Sequence, residues 1–237
     1  MSFYGYGPYV SAAERRERAD RKIQQMRKKD KNLAPVMTEG RTMAKSWWGK
    51  AWNRNLEGYA DYANRIGRGK NYVSNHAVLD LRISRGNIKA QVLGSAARPY
   101  QVEIEIDELQ EKQWNRVVTL CNNRLESLEQ LIEGKFPREL AELFTDQSYG
   151  LFPSPKEIHF DCSCPDYAYM CKHVAAALYG VGVRLDQDPL LFFELRGVGV
   201  EELLKKTVEE RLEHMMGQAQ NGSERAIEER MHEIFGI

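Results

Sequence analysis

Residues 161–173 read Asp161-Cys162-Ser163-Cys164-Pro165-Asp166-Tyr167-Ala168-Tyr169-Met170-Cys171-Lys172-His173. Three thiols and one imidazole in so short a stretch form the donor set of a structural zinc site, which takes four nitrogen or sulfur ligands in a tetrahedron. The spacing also dictates local structure. Cys162 and Cys164 are two residues apart and share one side of an extended strand. Cys171 and His173 are also two apart, but on a helix such residues diverge by about 200°. They can hold one ion only if Cys171 sits at or before a helix start and His173 lies in the first turn. Pro165 and the polar segment to Met170 make the turn between the pairs, so the prediction is strand, metal knuckle, helix. Four protein ligands close the coordination shell, whereas a catalytic zinc needs an open position and an iron–sulfur cluster usually takes four cysteines. One structural Zn²⁺ held by Cys162, Cys164, Cys171 and His173 is therefore expected. Three thiolates, a neutral imidazole and Zn²⁺ leave one net negative charge, which Lys172 and the positive end of the following helix offset. Asp161 and Asp166 are the candidates for orienting His173.

Asp161-Cys-Ser-Cys-Pro-Asp166 and Cys171-Lys-His-Val-Ala-Ala-Ala resemble the two halves of the SWIM zinc finger, and the likeness covers roughly residues 155–195. The upstream stretch Trp47-Trp48-Gly-Lys-Ala-Trp52 is similar, more loosely, to bacterial SWIM-containing proteins found alongside SNF2-type helicases. The resemblance implies the same four ligands and a DNA-binding or protein-interaction role. No helicase or transposase domain and no phosphate-binding loop is recognisable in the sequence, so any motor is expected to be another polypeptide.

Upstream of the knuckle, Glu157–Asp161 alternates as a short strand behind the linker Phe152-Pro-Ser-Pro155. Period two is also clear over 72–84, with Val73, Ala77, Leu79, Leu81 and Ile83 on one face. It continues through Ile88, Ala90 and Val92, and through Tyr100, Val102, Ile104 and Ile106. These are antiparallel strands with one wet face. Trp48, Trp52, Leu56, Tyr59, Ala63 and Ile66 recur at three- and four-residue steps, predicting one helix over 45–66; such aromatics serve a core more often than they stack on bases. Asp107–Ile132 predicts another helix, with Cys121 as a small core residue, and a shorter helix begins near Pro137. Downstream, Val174–Tyr179 continues as an apolar helix, Asp188-Pro189 opens a further one, and residues 200–216 form another.

At the N-terminus, Ser11 and Glu14 have capping-box spacing. The segment 11–31 is a basic, mostly exposed helix whose stripe of Ala19, Ile23 and Met26 is too narrow to hold it on a core alone. Its cations Arg15, Arg16, Arg18, Arg21, Lys22, Arg27, Lys28, Lys29 and Lys31, with Lys172 beyond, are the candidate nucleic-acid contacts. No base-reading pattern accompanies them, so DNA contact without sequence preference is expected; a solvated charged helix is the alternative. At the other end, Ile227, Met231, Ile234 and Phe235 lie on one stripe with acidic flanks. That stripe suits docking on a partner such as a SNF2-type helicase, or folding back on the parent chain.

The formal net charge of zero hides an asymmetry: residues 1–100 carry 20 basic and 8 acidic side chains, and residues 101–237 carry 14 and 26. That polarity suits a basic face for DNA and an acidic face for another partner, or two halves that neutralise each other. The longest nearly apolar run, Val174–Val183, is too short to span a bilayer, and no secretory signal is recognisable. A cytoplasmic location, in bacteria compatible with the nucleoid, is expected, with no membrane or small-molecule partner. Nucleophile-elbow and metalloprotease motifs are absent and no acid pair stands out, so no enzymatic activity is expected. The fold expected is α+β: an antiparallel sheet flanked by helices, then the zinc module and C-terminal helices. The divisions expected are 1–34, 35–150, 151–197 and 198–237. The functional expectation is an adaptor for DNA, protein or both, serving a helicase or similar machine; the alternative is a purely protein-binding subunit of such a complex.

Overall fold

The computed structural model describes residues 10–38, 42–59, 63–121, 128–166, 170–201 and 203. It is an α+β fold around one four-stranded antiparallel sheet. Helix α1 (Ala12–Arg27) is followed by α2 (Trp47–Glu57) and α3 (Ala63–Ser74). Strands β1 (Val78–Ser84), β2 (Asn87–Val92) and β3 (Tyr100–Ile106) come next. Then follow α4 (Glu111–Cys121), α5 (Leu128–Glu133), α6 (Arg138–Thr145), β4 (Ile158–Cys162), α7 (Lys172–Gln187) and α8 (Leu190–Leu195). The strands lie in chain order, β1-β2-β3-β4.

Alternation sets the faces. Leu81, Ile88, Ala90, Val102, Ile104 and Ile158 are buried on one side of the sheet, and the register Val102↔Cys162, Ile104↔Phe160 and Ile106↔Ile158 puts Cys162 on that same side. Against this face lies α7, whose residues from Ala175 to Tyr179 are fully buried. Such a helix, apolar all round, belongs in the centre of a core. It packs on α3 and α2 and touches all four strands. A single hydrophobic cluster runs from Val36 through the sheet and α7 to Leu203, on both sides of the 150/151 boundary. Trp48 and Trp52 are fully buried within it; their indole N–H groups donate to the carbonyls of Leu131 (2.7 Å) and Leu178 (2.8 Å). Their stripe serves the core, and Cys121 is buried there as well.

Several elements depart from the expected boundaries. The helix read over 45–66 is interrupted: α2 stops at Glu57, and a separate helix, α3, starts at Ala63. The strand read from residue 72 starts only at Val78, because Tyr72 and Val73 belong to α3. Of the helix read over 107–132, the described residues are helical over Glu111–Cys121 (α4) and from Leu128 (α5), and residues 122–127 lie outside them. Between α3 and β1 stands His76, a non-glycine residue at φ 55°. Its Nδ1 lies 2.8 Å from Asp20 and its Nε2 3.3 Å from the Thr38 carbonyl.

The narrow stripe of α1 proves wide enough to dock. Ala19 and Ile23 are buried in a second, smaller cluster with Leu33, Ala77, Leu79 and Leu93. A bulge between Val78 and Asp80 makes this possible. One extra residue there lets Val78 enter the main core while Leu79 meets α1. The capping box read from the sequence is formed, with the Ser11 and Glu14 side chains each accepting from the other's backbone N–H. After α1 the chain runs along the outer edge of β1. The Val36 N–H donates to the Val78 carbonyl (3.0 Å) and the Leu81 N–H to the Ala34 carbonyl (2.9 Å), covering an edge that would otherwise invite another strand. Arg184 of α7 donates to the same Ala34 carbonyl at 2.6 Å. No helix among the described residues is long and apolar enough to cross a membrane.

Candidate metal centre

The knuckle joins the end of β4 to the start of α7. Cys162 is the last residue of β4. Cys164 lies in the bend beyond it rather than on the strand, which the sequence reading had extended over both. Ser163 prolongs the pairing by one step: its N–H donates to the Gln101 carbonyl (3.0 Å), and its hydroxyl accepts from the Gln101 N–H (2.9 Å). That contact fixes the bend, so both flanking sulfurs turn towards α7. Cys171 is the N-cap of α7 in an extended conformation, and its sulfur accepts from the Val174 N–H at 3.4 Å. His173 lies in the first helical turn, as the two-residue spacing demanded.

The ligand atoms of Cys162, Cys164, Cys171 and His173 all lie within 4.8 Å of one another. His173 Nδ1 is 3.9 Å from Cys162 Sγ and 3.8 Å from Cys171 Sγ. A tetrahedral zinc with Zn–S near 2.3 Å and Zn–N near 2.0 Å requires edges of about 3.6–3.8 Å. The residues therefore fit one structural zinc, with Nδ1 as the histidine donor. Acidity agrees. The hydrogen bond from the Cys162 thiol, helped by His173 and the Val174 N–H, outweighs burial and holds Cys171 as a thiolate. Giving that hydrogen bond, together with burial, pushes the Cys162 thiol up. Zinc ligation requires the thiols deprotonated, so metal binding releases protons.

No carboxylate among the described residues orients the imidazole. Nε2 of His173 is buried without a hydrogen-bond partner among the described residues, and Asp166 accepts from Arg65 at 3.1 Å. Aromatic packing fixes the ring instead. The Tyr100 ring lies 4.3 Å away at a tilt of 34°, and Tyr72 meets it edge-on at 5.4 Å. Gly94 makes room, because a Cβ there would stand 2.4 Å from the Tyr100 ring and 2.8 Å from Nε2. Tyr72, Tyr100 and Gly94 were missed as parts of the site. The alternation of β3 did place Tyr100 on the inward face, but nothing in the spacing ties it to His173. His159 faces outward, 3.3 Å from Asp107 and apart from the ligands.

The basic candidates are spread along α1 and its exit. Arg15, Arg16, Arg18, Arg21, Arg27, Lys28, Lys29 and Lys31 are exposed, and Lys22 is half-buried. Arg18 donates to the Ala96 carbonyl at 3.2 Å, bringing the first turns of α1 to the β2–β3 loop. Arg21 lies 3.6 Å from Glu17. Lys172 opens α7 and is half-buried. Ile227, Met231, Ile234 and Phe235 lie outside the described residues, as does most of the helix read over 200–216.

Residues 160–181 match the SWIM zinc finger family model. Uncharacterized protein Rv2102 of Mycobacterium tuberculosis (strain ATCC 25618 / H37Rv) is 36% identical over 164 residues, which cover 68% of this chain and 58% of that protein. The chain thus spans less than two thirds of that relative's length. No solved structure matches.

Proposed function

We propose that this chain, built on its SWIM zinc finger, is a non-enzymatic adaptor that binds DNA without sequence preference and serves a SNF2-type helicase or another DNA-processing protein. The closed Cys3His set supports a structural ion. The observation that carries the DNA reading is the exposed cationic side of α1, held beside the metal centre. Tyr72 packs both against the cluster that holds Ala19 and Ile23 of α1 and on His173, and the apolar side of α1 is docked on the sheet. A fixed array of cations suits phosphates, which position a protein without specifying sequence. A purely protein-binding role is the second reading, favoured by the excess of acidic over basic residues in 101–237.

Binding of the zinc-loaded full chain to a fluorescent duplex, followed by anisotropy over about 50–200 mM salt, separates the two. DNA contact predicts that log K falls linearly with log[salt], with a slope of about −0.9 per phosphate neutralised. Replacing Arg15, Arg18 and Lys28 together by Gln should flatten that slope. Deletion of residues 1–34 is a poorer test, since it uncovers Leu79 and Leu93. A wild-type chain without measurable affinity at 50 mM salt would leave the protein-binding reading.

A further inference from the structure

Two clefts away from the metal centre meet at Met43. One lies between α1, residues 37–38 and 42–45, and the end of α7, and is lined by Arg16, Thr38, Lys45, His76 and Asp186 among others. Its neighbour lies over α2 and α3, where Lys50, Asn53, Arg54, Glu57 and Lys70 line it. Together they line a trough whose charged residues, among those described, are mostly cationic: Arg16, Lys45, Lys50, Arg54 and Lys70 against Asp186 and Glu57.

The two acids among the described lining residues are already engaged. Asp186 accepts from the Lys45 N–H (2.7 Å), the Ser46 N–H (2.9 Å) and the Ser46 hydroxyl (2.7 Å), which anchors the start of α2 to α7. Glu57 accepts from the fully buried Tyr179 hydroxyl (2.7 Å) and from Lys70 (2.8 Å); these contacts overcome the cost of its partial burial and hold its carboxyl below the usual range. Lys50 and Arg54 are different. They stand one helical turn apart on α2, so they project from one face. Both are exposed, and neither has an acidic partner among the described residues. In the adjoining cleft the Thr38 hydroxyl is buried without a hydrogen-bond partner among the described residues, although it can donate.

We infer that this trough is a second phosphate-binding track, which carries a nucleic-acid backbone from α1 across the 42–45 segment onto α2. The inference rests on the DNA-binding reading and extends it to residues outside α1. Charge without apolar anchors favours a nucleic acid over a protein. Among the described residues, the large apolar side chains lining the trough are Met37, Met43 and Val183, with no aromatic ring other than His76. Stable protein interfaces centre on buried aromatic and apolar anchors, whereas a phosphodiester backbone asks for little beyond cations and donors.

The test uses the zinc-loaded full chain and a fluorescent duplex in a salt titration. The double variant Lys50→Gln/Arg54→Gln removes two exposed cations whose side chains have no hydrogen-bond or ion-pair partner among the described residues. The control Lys112→Gln/Lys156→Gln removes two exposed cations elsewhere, on α4 and beside β4. The track predicts a slope shallower by about 1.8, from about 0.9 per lost phosphate contact, for the first variant and an unchanged slope for the control. Wild-type binding with both variants unchanged would overturn the track while leaving the α1 reading intact. Equal flattening by both variants would reduce the effect to overall charge and overturn the track as well. A wild-type chain that binds no duplex would sink both readings. Displacement of the duplex by polyglutamate at equal charge concentration would assign the surface to acidic proteins instead.

Discussion

At the residue scale, the metal centre was legible because its chemistry demands a donor set and its spacing demands a geometry. Two ligands two residues apart share an ion across a helix start, as Cys171 and His173 do, or where a strand ends in a bend, as Cys162 and Cys164 do. What orients His173 was not legible, because Tyr72 and Tyr100 come from other elements and only the packed fold brings them together. A second residue-scale device was equally hidden. The Arg196 side chain is 1% exposed, and it donates to the Asp107 carbonyl (2.6 Å) and to Glu157 (2.7 Å). Burial pushes the Glu157 carboxyl up, but the Ser154 N–H and the Arg196 guanidinium outweigh it and hold the pKa below the usual carboxylate range. A carboxyl whose folded pKa is depressed contributes stability above its unfolded pKa of about 4.3, and that contribution is lost as pH falls through the folded value. Glu157→Gln keeps the shape but removes the charge. We expect a loss of about 2 kcal/mol at pH 7, the scale of a charge-assisted hydrogen bond. The gap from wild type should narrow towards acid pH, read by urea unfolding of both proteins at each pH. A constant gap would show that the charge contributes nothing.

At the scale of elements, the packing of α3 on α7 makes the clearest prediction. Gly69 of α3 faces α7 so closely that a Cβ would stand 2.5 Å from the Ala175 carbonyl carbon and 2.8 Å from the Ala176 nitrogen. Gly67, two residues earlier on the same helix, is exposed and has nothing within 4 Å of an added Cβ. Alanine favours a helix over glycine by about 1 kcal/mol at either site. Gly67→Ala should therefore stabilise the protein by about 0.5–1 kcal/mol. Gly69→Ala must push one backbone off another and should destabilise it by about 1–3 kcal/mol. Thermal melts of the two variants should move in opposite directions, and a shared direction would contradict the close approach. The same glycines explain why α3 was not read as a helix. Two of them weaken its propensity, Ile66 fitted the tail of the preceding stripe, and Val73 fitted the alternation of β1. Strands β2, β3 and β4 were legible because one face is buried and the other wet, so period two survives unbroken. The bulge in β1 was not, because it interrupts that period to feed two clusters from adjacent residues.

At the scale of the molecule, the zinc finger is continuous with the rest of the core. β4, which carries Cys162, is the fourth strand of the sheet, and α7, capped by Cys171, is the helix that the sheet, α2 and α3 all contact. The ion thus ties the end of an edge strand to the start of the central helix. Structural zinc contributes about 10–16 kcal/mol of apparent binding energy in small peptides, and that energy is folding energy. A whole domain is stable by only about 5–15 kcal/mol. A site in this position should therefore govern the whole core and not only the knuckle. The indole N–H of Trp52, buried at the heart of α2, donates to the Leu178 carbonyl two turns into α7. It makes tryptophan fluorescence a reporter on that helix from outside the finger. Titration with a chelator, with zinc release followed by a colorimetric indicator, should shift the tryptophan emission to the red. The far-UV circular dichroism should change over the same range, so that all three signals share one midpoint. Cys164→Ala should show the shifted signals without chelator and bind no stoichiometric zinc. Complete release of the ion with tryptophan emission and helical signal both unmoved would show the opposite: that β4 and α7 are held by the apolar core alone and the zinc orders only the bend between them.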